Sequence, residues 1–129
     1  MSVADYVEEI RRLILDTPHV VSHSLGYEDR PPLGAIVNGS VTFADGSSIH
    51  FKEFLQLRPV ITRLKYAYHY ATSTHQLVFR YDNARDPAAR HLSTYPDHRH
   101  TSHGVLLSSS APAFASALQE AAACVKRYP

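Results

Sequence analysis

The chain has one cysteine, Cys124, among its 129 residues. That scarcity excludes an internal disulfide and a cysteine-based zinc site. No stretch approaches the roughly 18 apolar residues of a transmembrane helix. The N-terminal segment Met1 to Pro18 carries Asp5, Glu8 and Glu9 and no small-residue cleavage site, so it does not read as a signal peptide. Charge is also sparse: 19% of residues are charged and the net charge is +1. Such a balance does not overwhelm burial, which argues against disorder. It also means that nucleic-acid binding would require a local basic patch. There is no internal repeat and no long linker. What remains is 44% hydrophobic residues, enough for one core. The expectation is a single domain over residues 1–129, in the cytoplasm, with no membrane partner.

Two residue types stand out, nine histidines and eight tyrosines. Histidine is the one side chain whose ordinary pKa, about 6.5, falls inside the physiological range. The excess points to acid–base, metal or phosphate chemistry without choosing among them.

The two ends read as helices. Val3, Tyr6, Val7, Ile10, Leu13 and Ile14 recur every three or four residues over the first seventeen, with Ser2 or Asp5 as cap and Pro18 as stop. Pro112 to Lys126 repeats the pattern through Phe114, Leu118, Ala122 and Val125, with Ser110 as the expected cap and Pro112 in the first turn. Cys124 falls on this second helix and reads as a small buried residue.

The middle reads as strands: His19 to Tyr27, Gly34 to Phe43, Ser48 to Leu57, Val60 to Ala71 and Leu77 to Asp82. Ala44-Asp45-Gly46-Ser47 is a hairpin turn and Thr72 to Gln76 a loop. Pro87 to Ser102 reads as an irregular loop, and Val105 to Leu107 as a further short strand. The expected fold class is α+β: an antiparallel meander of about five strands between N- and C-terminal helices (α-β-β-β-β-β-α), with one layer of helices on one face. The alternative is a twisted half-barrel with the helices at one end.

Alternation sorts the strand residues into faces. Thr62, Leu64, Tyr66, Tyr68 and Tyr70 share one face of the fourth strand, and Arg63, Lys65, Ala67 and His69 the other. In the fifth, Leu77, Phe79 and Tyr81 oppose Val78, Arg80 and Asp82. With both apolar faces turned to the core, Lys65, His69, Arg80 and Asp82 lie on one polar surface. One reading is a solvated face with cross-strand ion pairs. The other is a phosphate site with Arg80 as fork donor and Lys65 as point charge. In the third strand Glu53 is the polar member of an apolar face with Ile49, Phe51, Leu55 and Leu57. It is either an edge residue or a buried acid, the latter a known functional signature.

Residues 91–103 hold four of the nine histidines: His91, His98, His100 and His103. A metal site would draw on His98, His100 and His103 with Asp97, although no helical HExxH spacing is present. A metal-independent acid–base site would set one or two imidazoles beside cationic groups, as in RNA cleavage through the 2′-hydroxyl. His98, Arg99 and His100 supply those types on one loop. A third reading is a polar loop whose histidines cap carbonyls or face water.

Leu77-Val-Phe-Arg-Tyr-Asp-Asn-Ala84 followed by Tyr95-Pro-Asp-His-Arg-His100 resembles the TumE family of small bacterial and archaeal toxins, with its FRYDNAPHH and TFPHHKH motifs. Tyr66-Ala-Tyr-His-Tyr70 resembles the family's YxYHY strand, and Asp45 to Glu53 its DGSxLxxxE hairpin. The likeness spans roughly residues 40 to 125. It departs at Asp97, where the family often has histidine, at Arg99, where it has lysine, and at Arg85-Asp86-Pro87 in place of PHH.

The resemblance implies the toxin of a toxin–antitoxin system, with a cognate antitoxin as partner, RNA as candidate substrate and a homodimer as candidate assembly. The motif residues implied for the site are Tyr66, His69, Arg80, Asp82, Asn83, His98, Arg99 and His100. In the acid–base reading, His98 or His100 takes the 2′-hydroxyl proton and His69 or the other loop histidine protonates the leaving oxygen. Arg80 and Arg99 stabilise the phosphate, and Asp82 positions an imidazole or Arg80. Lys65, Tyr66, Tyr68, Asn83 and Tyr95 bind substrate, with Tyr66 or Tyr68 stacking a base. This reading calls for no metal and no cofactor. The competing readings are a non-catalytic binding surface and a metal-dependent nuclease that uses the loop histidines with Asp82 or Asp97. His19, His23, His50 and His75 have no motif support and read as strand or turn residues.

Overall fold

In the computed structural model, which describes residues 1–125, the order is α1 (Val3–Leu15), β1 (Val20–Arg30), β2 (Gly34–Phe43), β3 (Ser48–Gln56), β4 (Thr62–Ala71), β5 (Leu77–Asp82), β6 (His98–Thr101), β7 (Leu106–Ser108) and α2 (Phe114–Cys124). The strands form one antiparallel sheet in sequence order, β1 to β7. It is the expected α+β meander with two strands more than five.

Ser2 caps α1 in a reciprocal capping box: its hydroxyl accepts from the Asp5 N–H, while Asp5 accepts from the Ser2 N–H. Val7, Ile10 and Ile14 form its buried stripe. The second helix starts differently from expectation. Its N-cap is Ala113, with no side-chain cap bond, and Ser110 lies three residues upstream. Cys124 is exposed, not buried, and Lys126 lies outside the described residues. In the β2–β3 turn, Gly46 adopts φ +82°, a left-handed conformation suited to glycine. The Asp45 carboxylate accepts from the Ser47 N–H across that turn.

One face of the sheet carries Val37, Val41, Ile49, Phe51, Leu55, Tyr66, Tyr68, Tyr70 and Phe79, and both helices bury it. The other face is uncovered. Two irregularities reassign residues between them. A bulge between the Phe54 and Leu55 pairings offsets β4, so that Phe54 pairs with Lys65 and Leu55 with Arg63. Leu64, expected in the core, is thereby 44% exposed. Arg63, expected outside, is half-buried against the core tyrosines, its guanidinium 4.2 Å from the Tyr66 ring centroid.

The second irregularity is β6, where a loop was expected. Its sequence, His98-Arg-His-Thr101, shows no apolar alternation because both of its faces are polar in purpose. His98 and His100 turn to the open face, while Arg99 turns to the helices and meets Glu120. Pairing with β5 makes the strand: Phe79 with Thr101, Arg80 with His100, Tyr81 with Arg99 and Asp82 with His98.

Candidate functional site

Register builds the site on the open face. One cross-strand row runs His50, His69, Arg80, His100 through β3, β4, β5 and β6. The neighbouring row runs Lys52, Ala67, Asp82, His98. Directly opposed side chains on one face stand about 4.5–5.5 Å apart at Cβ, so each member touches the next. The small Ala67 leaves a hollow between Lys52 and Asp82.

Asp82 is the hub. It is buried, and its Oδ2 accepts from Arg80 Nε at 2.9 Å. Its Oδ1 accepts from the Ala84 N–H at 3.0 Å. His98 Nε2 lies 3.1 Å from Oδ1 and His100 Nε2 lies 3.2 Å from Oδ2. The two imidazole Nε2 atoms are 3.1 Å apart. His98 is 1% exposed and its Nδ1 lies 2.7 Å from the Pro96 carbonyl oxygen. It therefore pins the segment before β6 to the sheet. His100 is half-buried.

His69 flanks Arg80 on the other side, with Nδ1 3.3 Å from Arg80 Nη1. Burial, then the charges of Arg80, His50 and His100, hold its pKa below the ordinary 6.5. His69 is thus neutral at pH 7, the state required of a proton acceptor.

A groove of about 740 Å³ opens beside this cluster. It is lined by four cationic side chains, Lys52, Lys65, Arg80 and Arg85, against one acid, Asp82. Phe54, Leu64 and Pro96 supply apolar wall. A second hollow of about 620 Å³ continues from it past Lys52, Ala67 and Arg80 to His50 and His69. The local basic patch that the overall charge made necessary is thus present.

The structure brings Lys65, His69, Arg80, Asp82, Asn83, His98 and His100 to this face. It places Arg99, Tyr68 and Tyr95 away from the groove and buries Tyr66 at its edge. Arg99 is on the helix side, donating to Glu120 Oε2 at 2.7 Å and to the Tyr81 hydroxyl. Its guanidinium thus lies on the face opposite the one on which its phosphate role was expected. Tyr66 and Tyr68 are buried, and their hydroxyls donate to Asp97 at 2.7 Å and to Glu53, respectively; Tyr66 still borders the groove, whereas Tyr68 does not. Tyr95 is half-buried in the turn before β6, where Pro96 is the groove residue. Asn83 bridges to β4, accepting from the Tyr66 N–H and donating to the Leu64 carbonyl.

Glu53 is a buried acid, 1% exposed, but on the helix-covered face. It accepts from the Tyr6 hydroxyl at 2.5 Å and from Tyr68. Desolvation and the Glu53 charge push the pKa of both phenols up. His103 is exposed in the β6–β7 turn and Asp97 faces Tyr66, so neither joins the His98–His100 pair.

Sequence reasoning missed His50, Lys52, Phe54 and Arg85. For His50 and Lys52 the signal was available: they alternate with Ile49, Phe51 and Glu53. Phe54 follows the same phase and is the half-buried aromatic on the open face.

An open antiparallel sheet with one face sealed by helices and the other bearing cations and histidines defines a small α+β protein. The chain belongs to the TumE toxin family, whose family model matches residues 10–127. Neither the comparison with curated proteins nor that with solved structures finds a match. Among the described residues no helix is long and apolar enough to cross a membrane.

Proposed function

We propose that this toxin acts on RNA, cleaving phosphodiester bonds on the open face of the sheet, and that a cognate antitoxin restrains it. The observation that carries the reading is the row His69–Arg80–His100, an arginine between two imidazoles, whose Arg80 borders a groove lined by three further cations and one acid. A phosphate over Arg80 would have an imidazole on either side, the arrangement that in-line transfer requires of a base and an acid. When the phosphate takes the guanidinium, the His69 Nδ1 lone pair is released to accept the 2′-hydroxyl proton. The 2′-oxygen attacks phosphorus and the 5′-oxygen leaves as His100 protonates it. His100 is oriented by its Nε2 on Asp82, the role of a positioning carboxylate. Arg80 carries the charge that develops on the phosphoryl oxygens. Lys52, Lys65 and Arg85 hold the flanking backbone, and Phe54 takes a base.

The products are a 2′,3′-cyclic phosphate and a 5′-hydroxyl. The purified protein in EDTA is expected to release them from total cellular RNA. Retained toxicity and RNA decay in a His69→Ala/His100→Ala double variant would sink the reading. A second reading, a non-catalytic binding surface, is favoured by the burial of His98, which acts as a staple. It predicts that loss of each histidine lowers melting temperature in step with toxicity.

A further inference from the structure

We infer that Asp82, His98 and His100 form a site for one first-row divalent cation, and that filling it switches the cleavage centre off. The binding half stands alone; the switching half rests on the acid–base reading above. The His98 and His100 Nε2 atoms are 3.1 Å apart, Asp82 Oδ1 lies 3.1 Å from the first and Oδ2 3.2 Å from the second, and one ligand atom from each residue can be chosen with all three within 4.8 Å of one another. A tetrahedral or octahedral shell with bonds of about 2.0–2.2 Å has edges of about 2.8–3.6 Å, so the two Nε2 atoms are spaced as neighbouring ligands of such a shell, with the Asp82 carboxylate beside both. Two histidines and a carboxylate on one face, with the remaining positions open, is an established ligand set for divalent transition metals.

Proton counting points the same way. The Pro96 carbonyl only accepts, so a neutral His98 ring carries its proton on Nδ1. Its buried Nε2 is then an acceptor toward His100 and stands 3.1 Å from Asp82 Oδ1, a second acceptor, so two acceptors face each other in the cluster. A cation at the convergence point satisfies all three. The surrounding contacts match what metal ligands require. The far nitrogen of His98 is fixed by a backbone carbonyl, and Asp82 is fixed by the Ala84 N–H and by Arg80. Asp82 borders the groove, which gives the cluster a side toward solvent. A metal on His100 Nε2 displaces that nitrogen's hold on Asp82 and fixes the ring away from proton transfer, so cleavage stops while RNA still binds the lysines.

The test uses untagged full-length protein stripped with chelator and titrated with ZnCl₂. One Zn²⁺ per chain is expected by calorimetry and by elemental analysis after dialysis. Cobalt substitution should give visible d–d bands that zinc abolishes. His100→Gln, at a half-buried position that tolerates change, should weaken binding at least about tenfold. His103→Ala, in the same histidine-rich segment but outside the cluster, should bind as wild type. Binding below one equivalent, or equal binding by His100→Gln, overturns the site. Zinc should also inhibit RNA cleavage reversibly, with EDTA restoring it. Stoichiometric binding by a protein that never cleaves RNA keeps the site and refutes the acid–base reading. Binding that activates cleavage keeps the site and overturns the switch.

Discussion

The two faces of this sheet handle charge in opposite ways. On the helix-covered face each acid is matched. Glu53 accepts from two phenols beside Arg63, and Glu120 is paired with Arg99 and Tyr81. On the open face four cations stand around one carboxylate, and that carboxylate is already engaged by Arg80 and the backbone. A polar cluster whose members satisfy one another is spent on stability. A surplus of one sign, held open to solvent, is available to a partner. Burial of an acid was the feature that marked Glu53 for function from sequence, yet its saturation by tyrosines makes it structural.

Breaking each face should therefore damage a different property. The largest effect expected is Arg80→Ala, which removes the phosphate clamp and should lower cleavage by about 10²–10³-fold while costing stability less than a change at Glu53 does. Single-turnover cleavage and a urea melt on the same sample measure both. Next is Glu53→Ala. It removes the acceptor of two phenols, half-buried Tyr6 and buried Tyr68, the latter keeping only its bond from Arg63; an unmet buried group costs about 1–3 kcal/mol, and the cleavage rate per folded molecule should be unchanged. Equal loss of stability in Arg80→Ala would erase the distinction between the faces. Lys65→Ala is smaller. It should weaken RNA binding modestly for all sequences and flatten the log affinity against log salt slope by about 0.7. The smallest effect is in pH dependence. A depressed His69 pKa means the base stays free down to below pH 6.5, so the acid limb of kcat/KM falls there. Arg80→Gln removes the second of its causes and leaves burial, the first. The limb of the residual activity should then rise toward 6.5 without reaching it.

Much of the frame was legible. The β2 and β5 limits match the sequence reading residue for residue, because hydrophobic alternation bounded by turn residues is a local signal. The same alternation set His69, Arg80 and Asp82 on one face before any register was known. It failed where a non-local fact decides. A bulge at Leu64 exchanged it with Arg63, and no periodicity announces a bulge. The segment His98 to Thr101 is a strand only because β5 supplies its ladder, so Arg99 was assigned to the site with its neighbours when alternation sends it to Glu120. Tyr66 and Tyr68 were already on the apolar face by alternation; the family motif drew them to substrate, and their burial sides with the alternation. Alternation also put His50 and Lys52 on the face opposite Ile49, Phe51 and Glu53, but only the β3–β4 register sets them beside His69 and Ala67.

The strictly sequential order of the sheet also sets an order of assembly. Each strand pairs with the one made just before it, so the contacts that build the sheet are local and favour rapid closure. A nascent chain ending at Asp82 already contains five strands with His69 and Arg80 in place, but neither His98 nor His100. Those arrive with the sixth strand, and the helix that completes the core follows later still. The part of the molecule proposed to be dangerous to the cell is thus completed only with the sixth strand, five strands after the sheet begins.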